Sequence, residues 1–185
     1  MVFAIEVIIG EWKSVNIVPI AIASVMGTEI SRILQGNQIP FSHRLFHIHH
    51  MDILACVGLA ILTAAASILL TRLLRSMDKI AKKVPAPLWI RAAIGGCAVG
   101  LIGLFLPEVQ GKGDHVVQTT IEGAFSQGLI IVGLATLAKI VATALTLGWG
   151  GSGGIFAPCL VIGCLAGLTY HHGLILLWPS VTWVN

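Results

Sequence analysis

The residues best placed to do chemistry lie between Gly148 and Pro158, which read Gly148-Trp149-Gly150-Gly151-Ser152-Gly153-Gly154-Ile155-Phe156-Ala157-Pro158 and carry no charge. This glycine-rich run sits between two apolar stretches. Irregular backbone at membrane depth costs several kcal/mol per unsatisfied group unless it lines a cavity or meets a ligand, so Gly150, Gly151, Ser152 and Gly153 are candidates for a pathway-lining loop. Pro158 stands where a first-turn helix proline belongs, and Gly153 to Ala157 supply N–H donors that come before any intrahelical acceptor. Such donors are partially positive, and the helix dipole adds about half a charge at the same end, which suits a small anion. No Lys or Arg is near in sequence, and a site built on partial charges releases its anion more readily than one holding a full counter-charge in a low dielectric. The competing reading is that the glycines only let two helices pack closely.

Other constellations are weaker. His43, His47, His49 and His50 form one, in which His47 with His49 and His50 could present imidazoles to zinc or copper from a loop. Only Asp52 could add a carboxylate, and a solvated loop explains the histidines equally well. His171 and His172 are expected at a helix end, satisfying carbonyls. Lys139, alone in an apolar run, is expensive at membrane depth; it is expected to snorkel or to pair with a carboxylate, and otherwise to attract anions toward a vestibule. Cys56, Cys97, Cys159 and Cys164 are widely spaced in apolar runs and read as small hydrophobes. Nothing supports enzyme catalysis, since no nucleophile sits with a base, no carboxylates are paired and no phosphate-binding loop occurs.

The elements that must position these residues follow from composition. Of 185 residues, 56% are hydrophobic and 10% charged, against roughly 25% charged in a soluble domain. The mean hydropathy is +0.93. No Asp, Glu, Lys or Arg occurs from Ile140 to Asn185. These values exclude an ordinary cytosolic domain, a disordered chain, a disulfide scaffold and a nucleic-acid module, and imply a multi-pass protein of the inner or plasma membrane. A bilayer core of about 30 Å needs roughly 20 apolar residues per helix. Runs of that kind are predicted at Val15–Leu34, Ile53–Thr71 (closed by Arg72 and Arg75), Trp89–Leu106, Gln127–Leu147 and Ile155–Tyr170. In the first, Glu29 and Arg32 are placed to pair. In the third, Gly95, Gly96, Gly100 and Gly103 are spaced for close helix approach. Val116–Ala124 is too short to cross and is expected to be a partial or re-entrant helix. Arg72, Arg75, Lys79, Lys82, Lys83 and Arg91 fall in one connection, which should therefore be cytoplasmic. Met1-Val2-Phe3-Ala4-Ile5 lacks the basic start of a signal peptide and reads as the last turns of a helix belonging to something larger.

The run from Lys139 to Pro158 resembles the signature of the CLC family of chloride channels and proton/chloride exchangers. Pro107-Glu108-Val109-Gln110-Gly111-Lys112-Gly113 and Phe3-Ala4-Ile5-Glu6-Val7 match as well, in the family's order, so the resemblance covers essentially the whole chain. It implies an all-α fold of transmembrane and broken helices, built from two inverted halves and assembled as a homodimer with one anion pathway per subunit. Residues 1–35 would close the first half and residues 51–172 would form most of the second, with no cytoplasmic regulatory domain. The family's G-x-F-x-P motif falls on Gly154, Ile155, Phe156, Ala157 and Pro158, with the amides of Ile155 and Phe156 implied as donors to a central chloride. Chloride would be the transported ligand, with no other cofactor and no nucleic-acid partner.

The family's G-S-G-I-P and G-K/R-E-G-P motifs and its pore tyrosine have no counterpart in this sequence, and Tyr170 lies just past the expected end of the motif helix. Val7 stands where many proton-coupled members carry a second consecutive glutamate. A valine cannot relay a proton, which fits passive or atypically coupled transport. The alternatives are a metal-ion transporter using the His43–His50 loop and a truncated product without transport activity.

Overall fold

The computed structural model describes residues 14–36, 50–111, 113–123 and 128–177. All the described regular structure is helical. The chain divides into two compact units, Met1–Pro40 and Phe41–Asn185.

The first unit contains α1, Ser14–Gln35. Pro19 lies within it and supplies no N–H to the ladder, a defect the helix absorbs near its start. The expected pair forms, with Arg32 Nη1 donating to Glu29 Oε1 at 2.9 Å. Gly36, at φ +82°, ends the helix.

The second unit holds α2 (His50–Lys83), α3 (Leu88–Phe105), a 3₁₀ turn (Pro107–Val109), α4 (Asp114–Ile121), α5 (Leu129–Gly148) and α6 (Phe156–Leu177). Among the described residues five helices, α1 among them, are long and apolar enough to cross a membrane. At eight residues α4 is too short, as the sequence predicts. Two boundaries differ from expectation. α2 does not stop at Arg72 but continues through Arg75, Lys79 and Lys82. A cation marks the edge of the hydrocarbon, not the end of a helix, and Arg, Leu, Met and Lys are all good helix formers. The break comes only at Pro85. α6 likewise runs past Tyr170 to Leu177, so Tyr170, His171 and His172 are inside the helix instead of beyond or at its end.

α5 is the axis of this unit. It packs against α2, α3 and α6 and against the 3₁₀ turn. Its buried positions include Val132, Ala135, Thr136, Lys139, Ile140 and Thr143, the three-and-four spacing of a helix face turned inward. Val132 and Ala135 join Val116 and Val117 of α4 and Val161 and Leu165 of α6 in one core cluster. Leu70, Ile140 and Ile162 tie α2, α5 and α6 together in a second. Outside these clusters the polarity of a soluble protein is inverted: Ile130 is 84% and Leu177 82% exposed, while Lys139 is 3% exposed. A surface made of Ile, Leu and Phe is stable in lipid, and this is a multi-pass membrane protein.

The glycines of α3 divide into two sets. A Cβ on Gly95 would lie 2.7 Å from Trp149 Cβ, and one on Gly103 would meet the Gln110 side chain, so these two admit close neighbours. Gly96 and Gly100 have nothing within 4 Å and open onto a cavity.

Candidate functional site

The glycine run does two jobs in succession. Its first part closes α5. Gly150 adopts φ +89°, its N–H donates to Leu147 O at 3.2 Å, and Gly151 N–H donates to Thr146 O at 2.8 Å. These are the paired bonds of a Schellman helix end, which requires a left-handed residue at the position Gly150 holds. The second part leads into α6. The earliest ladder bond of α6 runs from Cys159 N–H to Ile155 O at 3.1 Å. Pro158 therefore sits in the first turn, where a missing N–H removes no ladder bond.

Between the two parts lies a cavity of about 590 Å³. One wall is α5, through Lys139, Ala142, Thr143, Thr146 and Leu147, spaced as a single helix face. Gly96, Val99 and Gly100 of α3 form a second wall, and Val109, Gln110 and Gly111 a third. Ser152, Gly153, Gly154 and Pro158 complete it. A Cβ on Gly154 would meet nothing within 4 Å, so this residue borders open space. The hydroxyls of Thr143 and Thr146 donate to Lys139 O at 2.7 Å and Ala142 O at 2.8 Å within their own helix. Their protons are spent there, which leaves backbone amides, Lys139 and the side chains of Gln110 and Ser152 as potential donors to the cavity.

Lys139 corrects the sequence reading twice. It neither snorkels nor pairs with a carboxylate among the described residues. Its ammonium donates to Val109 O at 2.7 Å and Gly111 O at 3.0 Å, bracing the segment after α3 from inside. It also lines the same cavity as Gly153, Gly154 and Pro158. The site is thus not without a cation: Lys139 is brought in by α5 from outside the charge-free segment, and among the described residues no acidic side chain lines the cavity.

Of the predicted site residues, Gly154 and Pro158 line the cavity, with Ile155, Phe156 and Ala157 between them on the turn that opens α6. The Phe156 side chain is 61% exposed. Of the predicted loop, Ser152 and Gly153 are lining residues, while Gly150 and Gly151 serve the end of α5. Sequence reasoning missed Thr143 and Thr146, although both stand on Lys139's face of α5 at i+4 and i+7. It also missed Gly96 and Gly100 as lining residues.

Glu6, Val7, His43, His47 and His49 lie outside the described residues, and His50 only begins α2. Among the described residues no group of three potential metal ligands forms. Tyr170 reaches α2, where a Cβ on Gly58 would collide with its hydroxyl. The His171 and His172 rings are 5.9 Å apart, and His172 Nδ1 is buried without a partner. A second cavity of about 330 Å³ between α2, α5 and α6 has Thr136 and Thr169 as its polar lining residues. Both hydroxyls donate within their own helices, so it offers little to an ion.

Comparison with known proteins agrees with this architecture. The family model described as voltage gated chloride channel matches residues 1–184. A voltage-gated ClC-type chloride channel, ClcB, of Escherichia coli is 29% identical over 182 residues, covering 96% of this chain and 43% of the relative. Chloride channel protein CLC-f of Arabidopsis thaliana is 31% identical over 183 residues, covering 91% and 23%. An uncharacterized protein of Methanocaldococcus jannaschii is 29% identical over 171 residues, covering 91% and 43%. The chain spans less than half the length of these relatives. No solved structure matches it. Five membrane-length helices, a glycine-rich break opening a helix onto a cavity, and a family match along nearly the whole chain lead to one assignment: the protein belongs to the voltage-gated chloride channel (CLC) family.

Proposed function

We propose that this chain takes part in moving chloride across a membrane, and that the anion rests in the cavity against the first turn of α6. The observation that carries the reading is the meeting of Gly153, Gly154 and Pro158 with a buried cation around one cavity that has no acidic lining residue among the described residues. Backbone donors at the opening of α6, helped by its dipole, would hold the ion, with the amides of Ile155 and Phe156 nearest. The family relationship supports chloride as the cargo, and the relatives' names support a channel. Val7, in place of a proton-relaying carboxylate, favours passive or atypically coupled flux. We expect the working unit to be a homodimer in the bilayer.

Two measurements test this. Liposomes carrying the protein should release chloride down its gradient, and crystals soaked in bromide should show anomalous density at the Ile155 and Phe156 amides. Absence of flux under every pH gradient, or a halide only at His47–His50, would sink the reading.

A further inference from the structure

The second cavity, about 330 Å³ between α2, α5 and α6, is a slot lying along two helices. Its lining extends from Leu62 to Leu69 on α2 and from Gly133 to Ile140 on α5, about 10 Å of each helix. Leu62, Leu69 and Leu137 are exposed, which opens the slot onto the lipid-facing surface. Its two hydroxyls have no proton to give a guest, since Thr136 donates to Val132 O at 2.8 Å and Thr169 to Leu165 O at 2.7 Å. A buried water needs about two to four polar partners, so the slot suits hydrocarbon instead.

The slot occupies one half of the membrane span. α2 carries no charge from Ile53 to Thr71, and Leu62 to Leu69 lies in the half of that run nearer the basic end. Arg72 continues the exposed edge formed by Ala65 and Leu69, at i+7 and i+3, and Arg75 follows one turn later, also exposed. The ion pairs among the described residues are Arg32–Glu29 and Lys82–Asp78, so neither arginine has a carboxylate partner there. An apolar slot in the hydrocarbon thus ends beside two guanidiniums at headgroup level, and a guanidinium matches phosphate oxygens with a bidentate fork.

We propose that this slot holds one acyl chain of an anionic phospholipid, drawn from the leaflet at the basic end of α2, with the lipid phosphate on Arg72 and Arg75. The positive-inside rule makes that the cytoplasmic leaflet, whose surface is the anionic one. The acyl chain supplies contacts that α2, α5 and α6 do not make with one another along the slot, so its binding stabilises their packing. α5 presents another face, through Lys139 and Thr143, to the larger cavity. The lipid therefore backs the helix that walls that cavity.

The test uses the full chain in detergent, titrated with phosphatidylglycerol or with phosphatidylcholine of the same acyl chains, and read by native mass spectrometry and thermal melting. Wild type should retain phosphatidylglycerol more strongly than phosphatidylcholine and gain more melting temperature from it. Arg72→Gln with Arg75→Gln should weaken that retention about tenfold or more, whereas Lys79→Gln with Lys83→Gln, which removes the same charge from the same helix, should stay within about threefold. Ala65→Phe, at the exposed edge of the slot, should weaken retention of both lipids. Equal losses from the two charge pairs would make the arginines part of a diffuse basic surface and overturn the proposal, as would retention untouched in a folded Ala65→Phe protein. Should that variant not fold, wild-type crystals grown with phosphatidylglycerol brominated on its acyl chains decide. Anomalous peaks between Leu69 and Leu137 support the proposal. Bromine found only elsewhere, with the slot empty or filled by a helix of a second copy, refutes it.

Discussion

Gly95 and Gly96 are neighbours about 100° apart around α3, and that rotation gives them opposite roles. A methyl group at Gly95 would press on Trp149 Cβ at 2.7 Å and Leu145 O at 3.2 Å. One at Gly96 would project into free space. Overpacking of that kind costs about 1–3 kcal/mol, so Gly95→Ala should lower the melting temperature in detergent while Gly96→Ala leaves it unchanged or slightly raised. Equal effects would mean that the α3–α5 approach is looser than described. At the same scale, Lys139 was legible as a costly charge but not as a brace. Its acceptors are main-chain carbonyls 28 and 30 residues away, and backbone oxygens leave no trace in residue type. The Glu29–Arg32 pair was legible because both partners lie on one turn of one helix.

The end of α5 depends on a single left-handed residue. Gly150→Ala would incur the left-handed penalty of about 1–2 kcal/mol and also collide with Leu88 Cδ1 at 2.5 Å. It should therefore destabilise the protein by more than the conformational penalty alone. Thermal unfolding checks this, and a companion Leu88→Ala change should recover only the steric part. The sequence foretold the helix start after Pro87 and the irregular stretch after Gly148, because Pro and Gly act on the backbone locally. It misplaced the ends of α2 and α6, where the cues were a charge and a histidine pair, neither of which interrupts hydrogen bonding. The cavity was half legible. Its α6 wall was written as a motif, while the walls from α3 and the 3₁₀ turn exist only because tertiary packing brings them to α5.

For the molecule as a whole, the exposed apolar side chains require lipid around them, and the positive-inside rule predicts that the basic end of α2 faces the cytoplasm. A cysteine replacing Lys83, in a background without the native cysteines, should react with an impermeant maleimide only from the cytoplasmic side. Labelling from outside would reverse the assigned orientation. The length of α2 adds a constraint of its own. Thirty-four residues make a rod of about 51 Å. Even tilted by 40°, near the upper limit for membrane helices, it would rise about 39 Å against a hydrocarbon layer of about 30 Å. Part of the helix therefore stands in the headgroups, and its five cations make that the Arg72–Lys83 end. α2 is a depth gauge: with its charges held among phosphates and its flank packed on α5, it fixes how deep the cavity floats in the bilayer.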